Sequence, residues 1–288
     1  DDDTALLMRL TGSLSGFPDS CGHVVALYND TADTFRAMAA SIDRATHHVN
    51  ALYFQTSWDE YSAPFYEALE RAKARGVTVR LLVDHHGMRT IPGHRDFRRR
   101  LTEAGIEWHE MLPFAPLRGQ IRRPDLRNHR KILVVDGREA YVGSHNLVAP
   151  DYDTPSYTKA GMLYDDTSVS VTGPIVAQIQ AVFAVDWYYA CKEVLTPEVL
   201  APPAAQETGE REEEQASAMQ IIPSGPAFKG EPNLRVFIHM ISSARTHVSI
   251  TSPYFIPDEA LMTALTNAAL SGVEVELFVS EQFDQFLV

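Results

Sequence analysis

The chain has 288 residues, 45% of them apolar, and a formal net charge of −13 at pH 7. That length suits one large or two medium domains with a full core, and the acidic balance argues against general nucleic-acid binding. No uncharged apolar run of about 18 residues offers a membrane-spanning helix, and no secretory signal is visible.

The first 19 residues form an N-terminal extension. An α/β block follows, in the order strand, helix, strand, helix, strand. HVVALYND opens it as a strand, and TADTFRAMAASIDRAT places apolar residues at helical spacing from Phe35 to Ile42 and Ala45. HVNALYFQTS is the second strand. APFYEALERAKARG is a helix closed by Gly76, and VTVRLLVD is a buried strand. Further on, LTPEVLAPPAAQETGEREEEQASA has no apolar periodicity and reads as an acidic flexible linker, most charged from 210 to 214.

Beyond the linker the order repeats: MQIIPSG, NLRVFIHMISSART, HVSITSPYFIP, DEALMTALTNAALSG and VEVELFVS. The strand at 77–83 aligns with that at 273–279, and each follows a helix ending in glycine, Gly76 and Gly272. The expected domains are 20–200 and 217–288, joined by a linker at 201–216. Cys21 and Cys191 are too few for a disulfide scaffold or a zinc site, so a reducing compartment is the default. Whether the two pair is not fixed by the sequence.

The densest chemistry lies at NHRKILVVDG, 128–137, followed by GSHN, 143–146. The string is H-x-K-x4-D-x6-G-S-x-N. On strands, His129 and Lys131 share a face, as do Ser144 and Asn146. Asp136-Gly137 is a hairpin signal. A turn at Gly137-Arg138 sets His129 opposite Asn146 and Lys131 opposite Ser144, and a turn at Asp136-Gly137 slips that pairing by two. Imidazole can attack phosphorus to give a phosphohistidine. The Lys131 ammonium can sit on non-bridging phosphate oxygens, and Ser144 and Asn146 can donate to them. The scheme needs no metal and no cofactor.

This motif resembles the signature of the phospholipase D superfamily. With VTGPIVAQIQAVFAVDW, MQIIPSGP and ITSPYFIPDEAL, the chain is most similar to the bacterial cardiolipin synthase branch, from about Val24 onward. The resemblance implies an α/β fold, a phospholipase D-like αβα sandwich. Its mixed β-sheet would be flanked by helices, with the first domain complete and the second partial. It implies that His129 is the nucleophile, that Lys131 and Asn146 bind phosphate, and that Asp136 is the motif aspartate. An acidic residue beyond G-S-x-N then holds the imidazole. Counting back from Gly173-Pro174 gives Asp166, with Asp165 the alternative, because the tryptophan usual just upstream is absent.

The resemblance further implies a phosphatidyltransferase that uses phosphatidylglycerol at the cytoplasmic face of a bacterial cell membrane, with this stretch soluble. Such synthases usually carry N-terminal membrane helices, and a chain that begins Asp1-Asp2-Asp3 fits a trimmed or processed protein. Family members bring two such motifs together. A second motif histidine would fall near position 325, so it is expected from further sequence or from a homodimer partner. Other readings are a phospholipase D-type phosphodiesterase, a nuclease, or an inactive lipid-binding or assembly fragment. Between Arg89 and Lys131 the chain carries eleven basic and five acidic residues. Arg98, Arg99, Arg100, Arg118, Arg122, Arg123, Arg127 and Arg130 are expected to form a cationic collar that attracts anionic phospholipid or a membrane surface.

Overall fold

The computed structural model describes residues 2–114, 126–152, 154–201 and 216–281. In chain order these form α1 (Asp2–Ser15), β1 (Ser20–Tyr28), α2 (Thr31–Arg44), β2 (His48–Tyr53), α3 (Ala63–Ala74), β3 (Thr78–Asp84), α4 (His85–Thr90), α5 (His94–Glu103), β4 (Glu107–Met111) and β5 (Ile132–Val135). They continue as β6 (Glu139–Gly143), α6 (Pro155–Ala160), β7 (Ser168–Thr172), α7 (Ile175–Cys191), α8 (Pro197–Leu200), β8 (Ser217–Met219), α9 (Pro232–Ser243), β9 (His247–Thr251), α10 (Glu259–Leu270) and β10 (Glu274–Phe278). The chain divides into two compact units, one of 19–221 with 225–227, the other of 1–18, 222–224 and 228–288.

The first unit is built on an eight-stranded sheet in the order β4-β3-β2-β5-β6-β7-β1-β8. β2, β3 and β4 run parallel, and helices supply the crossovers that parallel pairing requires. β5 joins β2 antiparallel, and the rest of the sheet continues antiparallel. Alternation sorts the side chains between two faces. Val49, Ala51, Tyr53, Val79, Leu81, Val83, Leu133 and Val135 enter one core with Phe35, Met38 and Ile42 of α2 and Phe65 and Leu69 of α3. His48, which alternates with Val49, reaches Gln180 of α7 across the other face (2.8 Å). α7 crosses that face against β1, β2 and β4 to β7 and buries Ile175, Ile179, Val182, Phe183 and Trp187. The result is a mixed sheet between two helical layers, as the resemblance implies.

Local signals account for the helices around the site. Asp30 caps α2 by accepting from Asp33 N (2.8 Å), and Phe35, Met38, Ala39 and Ile42 give that helix its buried stripe. α3 begins with a proline in its first turn and ends before Gly76, whose φ of 86° closes the helix.

The hairpin takes neither of the two turns that the sequence offered. Val135 pairs with Glu139 and Ile132 with Val142, which leaves Asp136, Gly137 and Arg138 in the loop and sets the register midway between the two expectations. Asp136 and Gly137 both have positive φ, 52° and 64°. The cause lies in the Asp136 carboxylate, which accepts from Thr46 N, Thr46 Oγ1, His47 N and His48 N at 2.8–2.9 Å. Those bonds draw Asp136 out of the ladder and hold its carboxyl below the usual range against the effect of burial.

In the second unit, α9-β9-α10-β10 repeats the order α2-β2-α3-β3. β9 and β10 pair in parallel from His247↔Glu274 to Thr251↔Phe278, as β2 and β3 pair from His48↔Thr78 to Tyr53↔Val83. Gly272 has the left-handed φ of Gly76, 88° against 86°. α1, in the expected extension, packs against α9. A cleft of about 610 Å³ lies in this unit, among α9, β9 and 254–257, and contains no motif residue.

The strand expected at MQIIPSG does not open this unit. Met219 ends β8, which pairs antiparallel with Ser20–Gly22 on the open edge of β1. Pro223 lacks an N–H, and Gly225 has a φ of 86°, so the extended run stops there. Most of 201–216, including the charged stretch 210–214, lies outside the described residues.

Asp136→Ala removes the acceptor of three backbone N–H groups. It should lower unfolding free energy by about 2–3 kcal/mol at neutral pH. The folded pKa of Asp136 is depressed, so its contribution is present above about pH 4 and fades as pH falls. Urea titrations should therefore show wild type and variant converging in acid, and equal midpoints at pH 7 would refute the role.

Candidate active site

β2 and β3 end, and β5 begins, at one end of the sheet, and β6 also ends there. His129 and Lys131 lie just before β5. Leu52 pairs with Ile132, so the residues after β2 emerge beside them. The Phe54 ring lies 4.7 Å from the His129 ring, tilted by 53°, and 5.6 Å from Lys131 Nζ. Lys131 Nζ is 3.0 Å from His129 Nδ1 and donates to His129 O at 2.8 Å. Lys131 is only 5% exposed, whereas His129 keeps one side open to solvent.

Buried acids anchor the residues on either side of His129. Asp84 caps α4 by accepting from His86 N and Gly87 N. It also accepts from Asn128 N (3.2 Å) and Arg127 Nη1 (3.4 Å). Arg130 Nη1 donates to both oxygens of fully buried Asp186, at 2.8 and 2.7 Å. Burial pushes the Asp186 carboxyl up, and Arg130 and Asn128 oppose that shift. α4 approaches Phe54 closely because position 87 is glycine. A Cβ there would stand 2.3 Å from Phe54 O and 2.9 Å from its ring.

The other half of the site comes from G-S-x-N. A Cβ on Gly143 would lie 2.3 Å from Thr167 O, so only glycine lets β6 approach β7 there. Asn146 Oδ1 accepts from Gln55 N (3.0 Å), and its Nδ2 donates to Tyr152 Oη (2.8 Å). Leu147 N and Ser57 N continue this stitching (3.2 and 2.9 Å). Asn146 is thereby tied to the residue that follows Phe54. His145 is buried and 2.9 Å from Ser168 Oγ, and its pKa is lowered mainly by desolvation.

Charge adds Asp166 to the group. Desolvation, then the Lys131 charge, lowers the His129 pKa to about 4, opposed by Asp166. Burial lowers Lys131 to about 7, again opposed by Asp166. Asp165 acts on His145 but is not among the causes at His129 or Lys131. The imidazole is therefore neutral at pH 7. It carries a lone pair for attack at Nε2 only when Nδ1 holds the proton.

Of the expected site residues, His129 and Lys131 are in contact, Asp166 acts on both through its charge, and Asn146 is tied to Gln55, the residue after Phe54. Ser144 is exposed, and its Oγ accepts from Thr167 N (3.0 Å). Asp136 lies at the far end of β5, about 16 Å along the strand from Lys131, where it holds the loop at 46–48. The expected cationic collar is largely a structural set. Arg127 and Arg130 serve Asp84 and Asp186, and Arg98, Arg99 and Arg100 pair with Glu110, Asp96 and Glu70. Arg118, Arg122 and Arg123 lie outside the described residues. Phe54, Gln55, Asp84, Gly87 and Tyr152 were not expected. Phe54 and Gln55 lie in a run that reads as an ordinary strand, and Gly87 is the one with a local mark, three residues after the capping Asp84.

Among the described residues, no three His, Cys, Asp or Glu converge as metal ligands, and no helix is long and apolar enough to cross a membrane.

A family model described as cardiolipin synthase, PLD-like domain, matches residues 38–187 and 237–287. A cardiolipin synthase of Geobacillus kaustophilus is 33% identical over 285 residues, 98% of this chain and 54% of that protein. A cardiolipin synthase A of Pseudomonas entomophila is 34% identical over 292 residues, 100% of this chain and 57% of that protein. The chain thus spans about half the length of the curated relatives it matches. The crystal structure of a phosphatidylserine synthase from Haemophilus influenzae shares the fold, with a TM-score of 0.62 at 13% identity over 95% of this chain and 65% of that one.

Lys131 has a folded pKa below its ordinary 10.5, so its burial destabilises the protein most when it is charged in both states, below about pH 7. Lys131→Met should raise stability at pH 6 by on the order of a few kcal/mol. The gain should shrink as pH rises from 7 toward 10.5. Thermal melts across that range check the sign, and a variant less stable at pH 6 would contradict it.

Proposed function

The chain belongs to the cardiolipin synthase, PLD-like domain family, and on that premise we propose that it takes part in phosphatidyl transfer between phosphatidylglycerol molecules. The observation that carries this reading is the 3.0 Å contact of Lys131 Nζ with His129 Nδ1. It sets an ammonium with little hydration beside a neutral imidazole, which is an arrangement suited to a phosphodiester anion.

In the resting arrangement the ammonium donates toward Nδ1, which leaves the proton on Nε2 and the imidazole unreactive. An arriving phosphodiester draws Lys131 Nζ to a non-bridging oxygen, and the second Nδ2 hydrogen of Asn146 reaches another. Nδ1 then takes the proton and turns to the Asp166 carboxylate, which frees the Nε2 lone pair. Nε2 bonds to phosphorus as the bond to glycerol oxygen breaks, and glycerol leaves with a proton from a general acid. A hydroxyl of a second phosphatidylglycerol then gives its proton to that same group, now a base, and attacks phosphorus; the P–N bond breaks, the imidazole is regenerated and cardiolipin forms.

In this reading residues 20–200 are the first phospholipase D-like domain, 201–216 the linker and 217–288 the opening of a second. A second H-x-K motif, from further sequence or another copy, supplies the general acid. The substrate is an anionic phospholipid presented at a bacterial membrane.

The test supplies phosphatidylglycerol vesicles to the chain alone and to a longer polypeptide that carries a second motif. Cardiolipin and free glycerol should appear with the longer form. His129→Ala should slow them about 10³-fold or more, and acid quenching of wild type should trap a phosphatidyl adduct on His129. Phosphatidic acid as the sole lipid product would replace transfer by hydrolysis. Turnover by His129→Ala at the wild-type rate would remove His129 from the chemistry.

A further inference from the structure

Asn146 has four possible hydrogen bonds, two at its oxygen and two at its nitrogen. The Gln55 N–H points at it from 3.0 Å, and an N–H can only donate. That fixes the amide oxygen on the Gln55 side and the nitrogen on the Tyr152 side, where Nδ2 donates to Tyr152 Oη at 2.8 Å. The Tyr152 oxygen thereby holds the nitrogen side of the amide and sets its rotation about the last side-chain bond.

The backbone at Tyr152 is unusual. Its φ is 54°, in the left-handed region that a bulky residue rarely adopts. Tyr152 N donates to Ala149 O at 2.8 Å, and Thr154 Oγ1 donates to Tyr152 O at 3.1 Å, so the turn is held there. The ring meets Tyr164 with centroids 4.4 Å apart. Tyr164 is anchored by its N–H to Pro150 O (2.9 Å) and lies two residues before Asp166. Tyr152 thus touches the phosphate-binding amide at one end and the segment that carries the acid at the other.

From this geometry we infer that Tyr152 is a positioning residue, which orients the Asn146 amide toward the bound phosphoryl group and keys it to the Asp166 segment. The inference rests on the phosphate-site reading above. The left-handed backbone brings the hydroxyl under Asn146 while leaving the ring against Tyr164, which accounts for the strained turn. Tyr152→Phe keeps ring, turn and stacking and removes the hydroxyl that accepts from Asn146 Nδ2.

The test uses sulfate as the probe, because its charge is constant near neutrality, and follows the Asn146 side-chain amide by NMR in the full chain. In wild type one Nδ2 proton should exchange slowly, and sulfate should shift the pair. Tyr152→Phe should abolish the slow exchange and raise the sulfate Kd about three- to tenfold, with an unchanged melting temperature. Asn146→Ala should weaken sulfate similarly, and Tyr152→Phe added to it should do nothing more. A Tyr152→Phe Kd equal to wild type, multiplying effects in the double variant, or fast exchange of both wild-type protons would overturn the positioning role. Loss of sulfate binding in Lys131→Met together with an unaffected Tyr152→Phe would leave the phosphate site standing and remove this inference alone. Failure of wild type to bind sulfate would remove both.

Discussion

A lysine ammonium held at 5% exposure, with no carboxylate among the described residues in hydrogen-bonding contact, is the constraint on which this site depends. Its near partners are an imidazole nitrogen, a backbone carbonyl and the face of Phe54. None of them neutralises a positive charge, and Asp166 reaches it only through space. Burial on these terms is unfavourable for the folded chain, as the lowered pKa of about 7 records. An anion that enters this position relieves that unfavourable burial. In the proposed function, affinity for phosphate and the cost of holding Lys131 are two sides of one interaction.

The rest of the first unit holds that arrangement in place. Two strands end and one begins at the same sheet end, so the residues after β2 and before β5 must meet. Arg127 and Arg130 face buried carboxylates, while His129 and Lys131 meet the Phe54 ring instead. Gly87 and Gly143 permit backbone approaches that any Cβ would block. The charge count that suggested a cationic collar therefore included arginines whose partners are acids. Among the described residues of the motif, Lys131 is the buried cation with no carboxylate in hydrogen-bonding contact, which is why we propose it as the charge directed at phosphate.

The fold class was legible because periodicity and glycine punctuation are local properties. α2, β2, α3 and β3 follow from runs such as Phe35-Met38-Ile42 and from Gly76, and the later block repeats them. His129, Lys131 and Asn146 were legible because the motif specifies residue types at fixed spacing. The hairpin register was not legible: it depends on Asp136 bonding to 46–48, some ninety positions away in the chain. Nor was β8, whose pairing with β1 follows from an open edge and not from its own composition. Phe54 and Tyr152 carry no mark that separates an aromatic at the site from one in a core. Their roles appear only when β2 and the turn at 149–152 are placed against the motif.

The most direct test is an NMR titration of the Lys131 side chain, selectively labelled, with and without sulfate. Lys131 should titrate near 7 in the free protein, and saturating sulfate should raise its pKa by at least about one unit. His129 should remain neutral at pH 7 throughout the free-protein titration. A Lys131 pKa close to 10.5, or one that sulfate leaves unchanged, would contradict the claim that this buried ammonium is an anion site.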